Sequence, residues 1–105
     1  MLLGKVTGTV VASAKDERLK DFKMLLVENL KTDGSRGTGY VVAVDAVGAG
    51  KNEVVLYATG SSARQTVLTD KRPTDATIVA IVDTVEVDGR VTYQKQGALR
   101  RPPGD

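Results

Sequence analysis

The sequence predicts a small antiparallel all-β barrel. Three observations carry that expectation. Runs of β-branched residues alternate with period 2, the joins between them are rich in Gly, Asn and Asp, and no stretch has the sustained 3.6-residue apolar spacing of a long helix. The chain has 105 residues, which is enough for one core and too few for two. Residues 1–95 read as a single barrel domain, and residues 96–105 (QGALRRPPGD) as a flexible tail. The only aromatic residues are Phe22, Tyr40, Tyr57 and Tyr93, so the core must be built from Val, Leu, Ile and Ala. A small aliphatic core is marginal alone and gains from burial against partner subunits.

From the N-terminus, Gly4 to Ala12 is a strand with Gly4, Val6, Gly8, Val10 and Ala12 on one face. Glycines on an inward face suit tight coiling or close approach of another backbone. Lys15 to Lys23 is a charged connection in which Leu19 and Phe22, three apart, can pin one helical turn. Met24 to Leu30 is apolar on both faces, with Leu25 and Val27 on one, which predicts cover from a neighbouring subunit. Lys31 to Gly39 is a polar, mobile turn with three glycines. Val41 to Val47 and Glu53 to Ala58 are strands, and Gly48-Ala49-Gly50-Lys51-Asn52 between them reads as a hairpin connection. Gly60-Ser61-Ser62-Ala63-Arg64 suits a short helical start with a hydroxyl cap. Pro73 interrupts a polar stretch, Ile78 to Val87 is the strongest strand, and Asp88-Gly89 is a two-residue turn into Arg90 to Gln94.

The composition excludes much chemistry. The absence of Cys and His removes thiol nucleophiles, disulfides, imidazole bases and the usual zinc ligands. Gly60-Ser61-Ser62-Ala63-Arg64 is not a nucleophile elbow, because Arg64 stands where Gly is required and no imidazole can activate Ser62. Gly48-Ala49-Gly50-Lys51 is not a phosphate loop, because Asn52 replaces the Ser or Thr after the Lys. Asp16 with Glu17, and Asp45 with Asp83, are carboxylates better suited to surface or interface charge than to acid–base work. No enzyme activity, cofactor or metal site is expected. A net charge of +2 is too small to imply nucleic acid, and no apolar run spans a membrane, which fits a cytoplasmic protein.

Four fragments carry a resemblance: LGKVTGTVVAS near the start, VAVDAVGAG at Val42 to Gly50, EVVL with GSSAR at Glu53 to Arg64, and DATIVAIVD at Asp75 to Asp83. Together, in this order, they resemble the small shell proteins of bacterial microcompartments typified by the EutN/CcmL family. The resemblance covers roughly Met1 to Val87. Asp21 departs from it, because the family usually has Gly near that position.

The resemblance implies a five-stranded OB-like barrel that assembles as a cyclic homopentamer. Such pentamers cap the five-fold vertices of a carboxysome or catabolic metabolosome, beside hexameric shell proteins, and are not catalytic. By matching motif, Asp45, Gly48, Ala49, Gly50, Ser61, Ser62, Arg64 and Asp83, with Leu25 and Val27, are candidates for the subunit seam or five-fold axis. Arg64 would pair with a neighbour's Asp45 or Asp83, or inside its own subunit. A ring of Ser61 or Ser62 hydroxyls would make a narrow polar pore. The competing expectation is a monomeric OB-like module for single-stranded nucleic acid or a small ligand. The apolar flanks of Tyr40 and Tyr57 argue against nucleic acid.

Overall fold

The computed structural model describes residues 1–13, 15–66, 69 and 75–95. Five strands close a barrel: β1 (Leu2–Val10), β2 (Met24–Leu30), β3 (Arg36–Asp45), β4 (Val54–Thr59) and β5 (Ala76–Ile81), in the order β1-β2-β3-β5-β4. Two further strands, β6 (Thr84–Val87) and β7 (Arg90–Gln94), form a separate hairpin. Two 3₁₀ turns, Glu17–Leu19 and Gly60–Arg64, complete the described elements.

The period-2 pattern sends alternate residues inward, and Val6, Leu25, Val27, Val55, Tyr57 and Ile78 meet in the core. Gly4 is needed for that closure. A Cβ there would stand 2.3 Å from Val27 Cγ1 and 3.0 Å from the Glu28 carbonyl oxygen. The inward glycine therefore lets β1 and β2 approach, as the sequence suggests. The Tyr57 hydroxyl, inside the barrel, donates to Asn29 Oδ1, and Asn29 Nδ2 donates to the Thr38 carbonyl at 2.9 Å. This network spans the irregular register between Glu28 and Leu30.

Four expectations need correction. The barrel is not wholly antiparallel: β3 and β5 run parallel, paired through Val44–Thr77 and Asp45–Ile78. Residues 48–52 are not a hairpin connection, because β4 pairs with β1 and β5, never with β3. Instead residues 46–53 cross the barrel end. Val6 N–H donates to the Glu53 carbonyl (2.9 Å), Asn52 N–H donates to the Val6 carbonyl (2.8 Å), and Ala49, 1% exposed, plugs the core. The expected single strand from Ile78 to Val87 is broken at Val82–Asp83. Val82 N–H donates to the Val54 carbonyl (2.8 Å), and the chain then leaves the barrel to pair with β7. The stretch Lys31 to Gly39 is a closed turn followed by strand. Lys31 N–H donates to the Ser35 carbonyl (2.9 Å), Asp33 Oδ1 accepts from Ser35 N–H (2.9 Å), and β3 already begins at Arg36.

Other local readings agree with the structure. The charged connection holds one turn, Glu17–Leu19, with Leu19 and Phe22 half-buried as its anchors. Asp88 and Gly89 take φ of 52° and 80°, the left-handed pair that a two-residue hairpin requires. The tail, 96–105, lies outside the described residues, as does Pro73.

Candidate assembly surface

No cluster of three or more Asp, Glu, His or Cys side chains fit for a metal forms among the described residues. The candidate site is a surface, built from two loops and one side of the barrel.

The first loop follows β3. Asp45 Oδ1 accepts from the N–H groups of Val47 (3.1 Å) and Gly48 (3.0 Å), which turns the chain immediately after the strand. Gly48 completes the turn at φ 76°, with nothing within 4 Å of where a Cβ would stand. Glu53 Oε1 accepts from Gly50 N–H at 2.5 Å, while Glu53 Oε2 pairs with Lys95 Nζ at 2.8 Å. Lys95 and then the Gly50 amide hold the Glu53 carboxyl below its ordinary range, and Glu53 in turn raises Lys95. Of the candidates here, Gly48 is exposed, Asp45 and Gly50 are half-buried, and Ala49 is inside the barrel.

The second loop follows β4. Gly60 takes φ 62° and its N–H donates to the Asp75 carbonyl at 2.9 Å. Ala63 is buried, and its carbonyl accepts from Thr77 Oγ1 at 2.6 Å. That bond clamps the 3₁₀ turn onto β5 and leaves Ser61, Ser62 and Arg64 exposed. The expected hydroxyl cap is absent: Thr59 occupies the cap position and makes no side-chain bond there. Asp83 is exposed at the base of the β6–β7 hairpin, where its carbonyl accepts from Lys95 N–H at 2.8 Å.

Leu25 and Val27 point into the barrel, not onto its surface. At 1% and 0% exposure they belong to the core of their own chain, as does Ala49. The outer residues of β2, Met24, Leu26 and Leu30, are half-buried on the barrel wall. Sequence reading missed the continuation of that wall onto β3, where Tyr40 (55% exposed) and Val42 (46%) stand beside Glu28 and Leu26 in register. The signal was there in the period-2 pattern, which opposes Tyr40 and Val42 to the inward Val41 and Ala43. At one end of this wall Arg36 Nε donates to Glu28 Oε2 at 2.7 Å.

These features match a known set of proteins. The family model described as ethanolamine utilisation protein EutN/carboxysome matches residues 1–83. The chain belongs to the EutN/CcmL family. The carboxysome shell vertex protein CcmL of Gloeobacter violaceus is 44% identical over 100 residues, which span 95% of this chain and 100% of CcmL. Its solved structure superposes with a TM-score of 0.87 at 45% identity, over 91% of this chain and 99% of that one. The bacterial microcompartment shell vertex protein GrpN of Rhodospirillum rubrum is 50% identical over 90 residues, 82% of this chain and 97% of GrpN. Its structure, a pentameric microcompartment shell protein, superposes with a TM-score of 0.76 at 46% identity, over 83% of this chain and 99% of that one. The shell vertex protein EutN of Salmonella typhimurium is 38% identical over 95 residues, 90% of this chain and 96% of EutN. The family expected from four sequence fragments is thus the family found.

Proposed function

We propose that the protein is a non-catalytic shell component, a homopentamer that closes the five-fold vertices of a bacterial microcompartment in the cytoplasm. The observation that supports this most is the end-to-end likeness to a carboxysome vertex protein, in sequence and in barrel topology. The physical logic agrees. A flat sheet of hexameric tiles cannot close, and five-fold units at its corners supply the curvature. A five-membered ring closes through heterologous contacts, so each subunit presents two different surfaces.

In this reading the two loops face the ring's seam or axis. Asp45 and Gly48 turn one loop, Gly50 keeps it slim, and Ser61 and Ser62 present hydroxyls from the other. Arg64 and Asp83 supply opposite charges for the seam. Ala49, Leu25 and Val27 act behind this surface, as the core that fixes it. Hexameric shell proteins are the lateral partners.

A monomeric module for single-stranded nucleic acid draws no support. Tyr57 is 3% exposed and cannot stack on a base, and exposed Tyr40 stands opposite Glu28, whose ion pair with Arg36 leaves no excess of positive charge there for phosphates.

The test is shell closure. Hexameric shell proteins are expressed with and without this chain, and the particles are viewed by electron microscopy. Closed polyhedra are expected only with the chain present. Closed, five-fold-cornered particles in its absence, with none of the chain recovered in those made in its presence, would remove the proposal.

A further inference from the structure

The β6–β7 hairpin pairs with no barrel strand and stands off the barrel across a cleft lined by Val85 and Tyr93. Its tip is Asp88-Gly89. The sequence holds this dipeptide twice, at Asp33-Gly34 and at Asp88-Gly89, and both stand exposed in tight turns. An Asp-Gly link is open to one uncatalysed reaction. The glycine nitrogen, which no Cβ shields, attacks the neutral side-chain carboxyl beside it. The two turns differ in each feature that this reaction needs.

At Asp33-Gly34 the reacting groups are occupied. Gly34 N–H donates to the Lys31 carbonyl at 3.0 Å. Asp33 Oδ1 accepts from the Ser35 hydroxyl at 2.5 Å and from Ser35 N–H at 2.9 Å. The Ser35 hydroxyl, and then its amide, hold the Asp33 carboxyl below its ordinary range, which keeps it ionised and resistant to a nucleophile. Thr92 closes over the turn. Its carbonyl oxygen lies 2.9 Å from where a Gly34 Cβ would stand, and its hydroxyl donates to the Thr32 carbonyl at 2.8 Å.

At Asp88-Gly89 these restraints are missing. Among the described residues, neither the Asp88 carboxyl nor the Gly89 N–H has a hydrogen-bond partner. Beyond its chain neighbours, nothing lies within 4 Å of where a Gly89 Cβ would stand. Asp88 also holds φ 52°, a left-handed conformation that costs an L residue free energy. A lone two-stranded hairpin is marginal in water, so its tip opens locally and lets the Asp88 side chain swing onto the Gly89 nitrogen.

We propose that Asp88-Gly89 is a self-modifying link that converts in water to isoaspartate, and that Asp33-Gly34 is shielded from the same reaction. The Gly89 nitrogen forms a bond to Asp88 Cγ, the carboxyl C–OH bond breaks, and the hydroxyl leaves as water with the N–H proton. Water then adds to one of the two carbonyls of the cyclic imide. Opening at Cγ restores aspartate, and opening at the main-chain carbonyl leaves the chain running through Cβ and Cγ. One water leaves and one returns, so no oxidant, reductant or enzyme is needed. The isoaspartyl link lengthens the backbone by one atom. A two-residue turn built on the left-handed pair of 52° and 80° no longer fits it, and the hairpin loosens from the Val87–Arg90 pair beside the tip. This inference stands apart from the pentameric reading.

The test incubates the full chain in weakly acidic heavy-oxygen water, folded and in urea, and maps isoaspartate and label by tandem mass spectrometry. In the folded chain, conversion at Asp88 is expected to exceed that at Asp33 by about tenfold or more, the scale of the hydrogen bonds that hold only the Asp33-Gly34 turn. In urea the two sites should convert at similar rates. Amides of residues 84–94 should exchange faster in the converted chain than in the original. Folded-chain conversion at Asp33 as fast as at Asp88, or no label at Asp88, would overturn the inference. A preference for Asp88 as large in urea as in the folded chain would overturn it too, because flanking sequence would then set the rates. Unchanged hairpin exchange after conversion would overturn the loosening assigned to the turn.

Discussion

Gly4 and Gly60 are both glycines the fold needs, but for unlike reasons, and the difference is measurable. At Gly4 the backbone is ordinary and the space is absent, since an added methyl meets Val27 and the Glu28 carbonyl. Gly4→Ala is expected to destabilise by about 1–3 kcal/mol through overpacking, read as a fall in the denaturation midpoint. At Gly60 the space is free and the φ of 62° is the obstacle, so Gly60→Ala should cost about 1 kcal/mol. If Gly60→Ala proved the more harmful of the two, the close β1–β2 approach would be misjudged. Thr77 gives a third case. It is fully buried, and its hydroxyl serves the Ala63 carbonyl. Thr77→Val keeps the shape and orphans that carbonyl, with an expected loss of about 1–3 kcal/mol in chemical denaturation. On the surface, Asp16 takes the Arg18 guanidinium and the Arg18 amide, which lower its pKa to about 2. An NMR titration should find its midpoint near 2, returning toward the ordinary 3.8 in Arg18→Ala.

Among the elements, the hairpin's attachment is set by the Glu53–Lys95 pair, and its pH response follows from the two shifts. Glu53 is lowered in the folded chain, so its contribution is complete above the ordinary value of 4.5 and is lost as pH falls through the lowered value. Lys95 is raised, so its contribution is complete below 10.5 and is lost as pH rises through the raised value. The hairpin should hold across the neutral range and loosen at both extremes. Hydrogen exchange of residues 84–94, corrected for the intrinsic rate, would show this, and Lys95→Met should flatten the acid arm. An unchanged acid arm in that variant would contradict the role given to the pair. Local patterns made much at this scale readable: the strands around Val6, Val27 and Val55, the turn at Leu19, and the left-handed Asp88-Gly89 pair. Strand order was not readable. Whether the chain after Asp45 doubles back or crosses the barrel end depends on Ala49 finding the core and on Asn52 and Glu53 finding Val6, contacts more than forty residues apart. The break at Val82–Asp83 was hidden for the same reason. The run Ile78 to Val87 carries β-branched residues on both sides of Asp83, and only the end of pairing with β4 divides it.

For the molecule as a whole, the division between barrel core and outer surface was the least readable feature. Leu25 and Val27 resemble interface residues in a sequence because nothing local tells a barrel's inside from a subunit contact. The outward Tyr40 and Val42 were marked by the period-2 pattern, but the cleft beside Val85 emerges only once the barrel is closed. A closed ring of five has a mass that native mass spectrometry of the purified chain reads at once. A species of roughly 55 kDa, five times the 11.1 kDa subunit, is expected to persist on dilution through the micromolar range. A clean 11.1 kDa monomer throughout that range would contradict it.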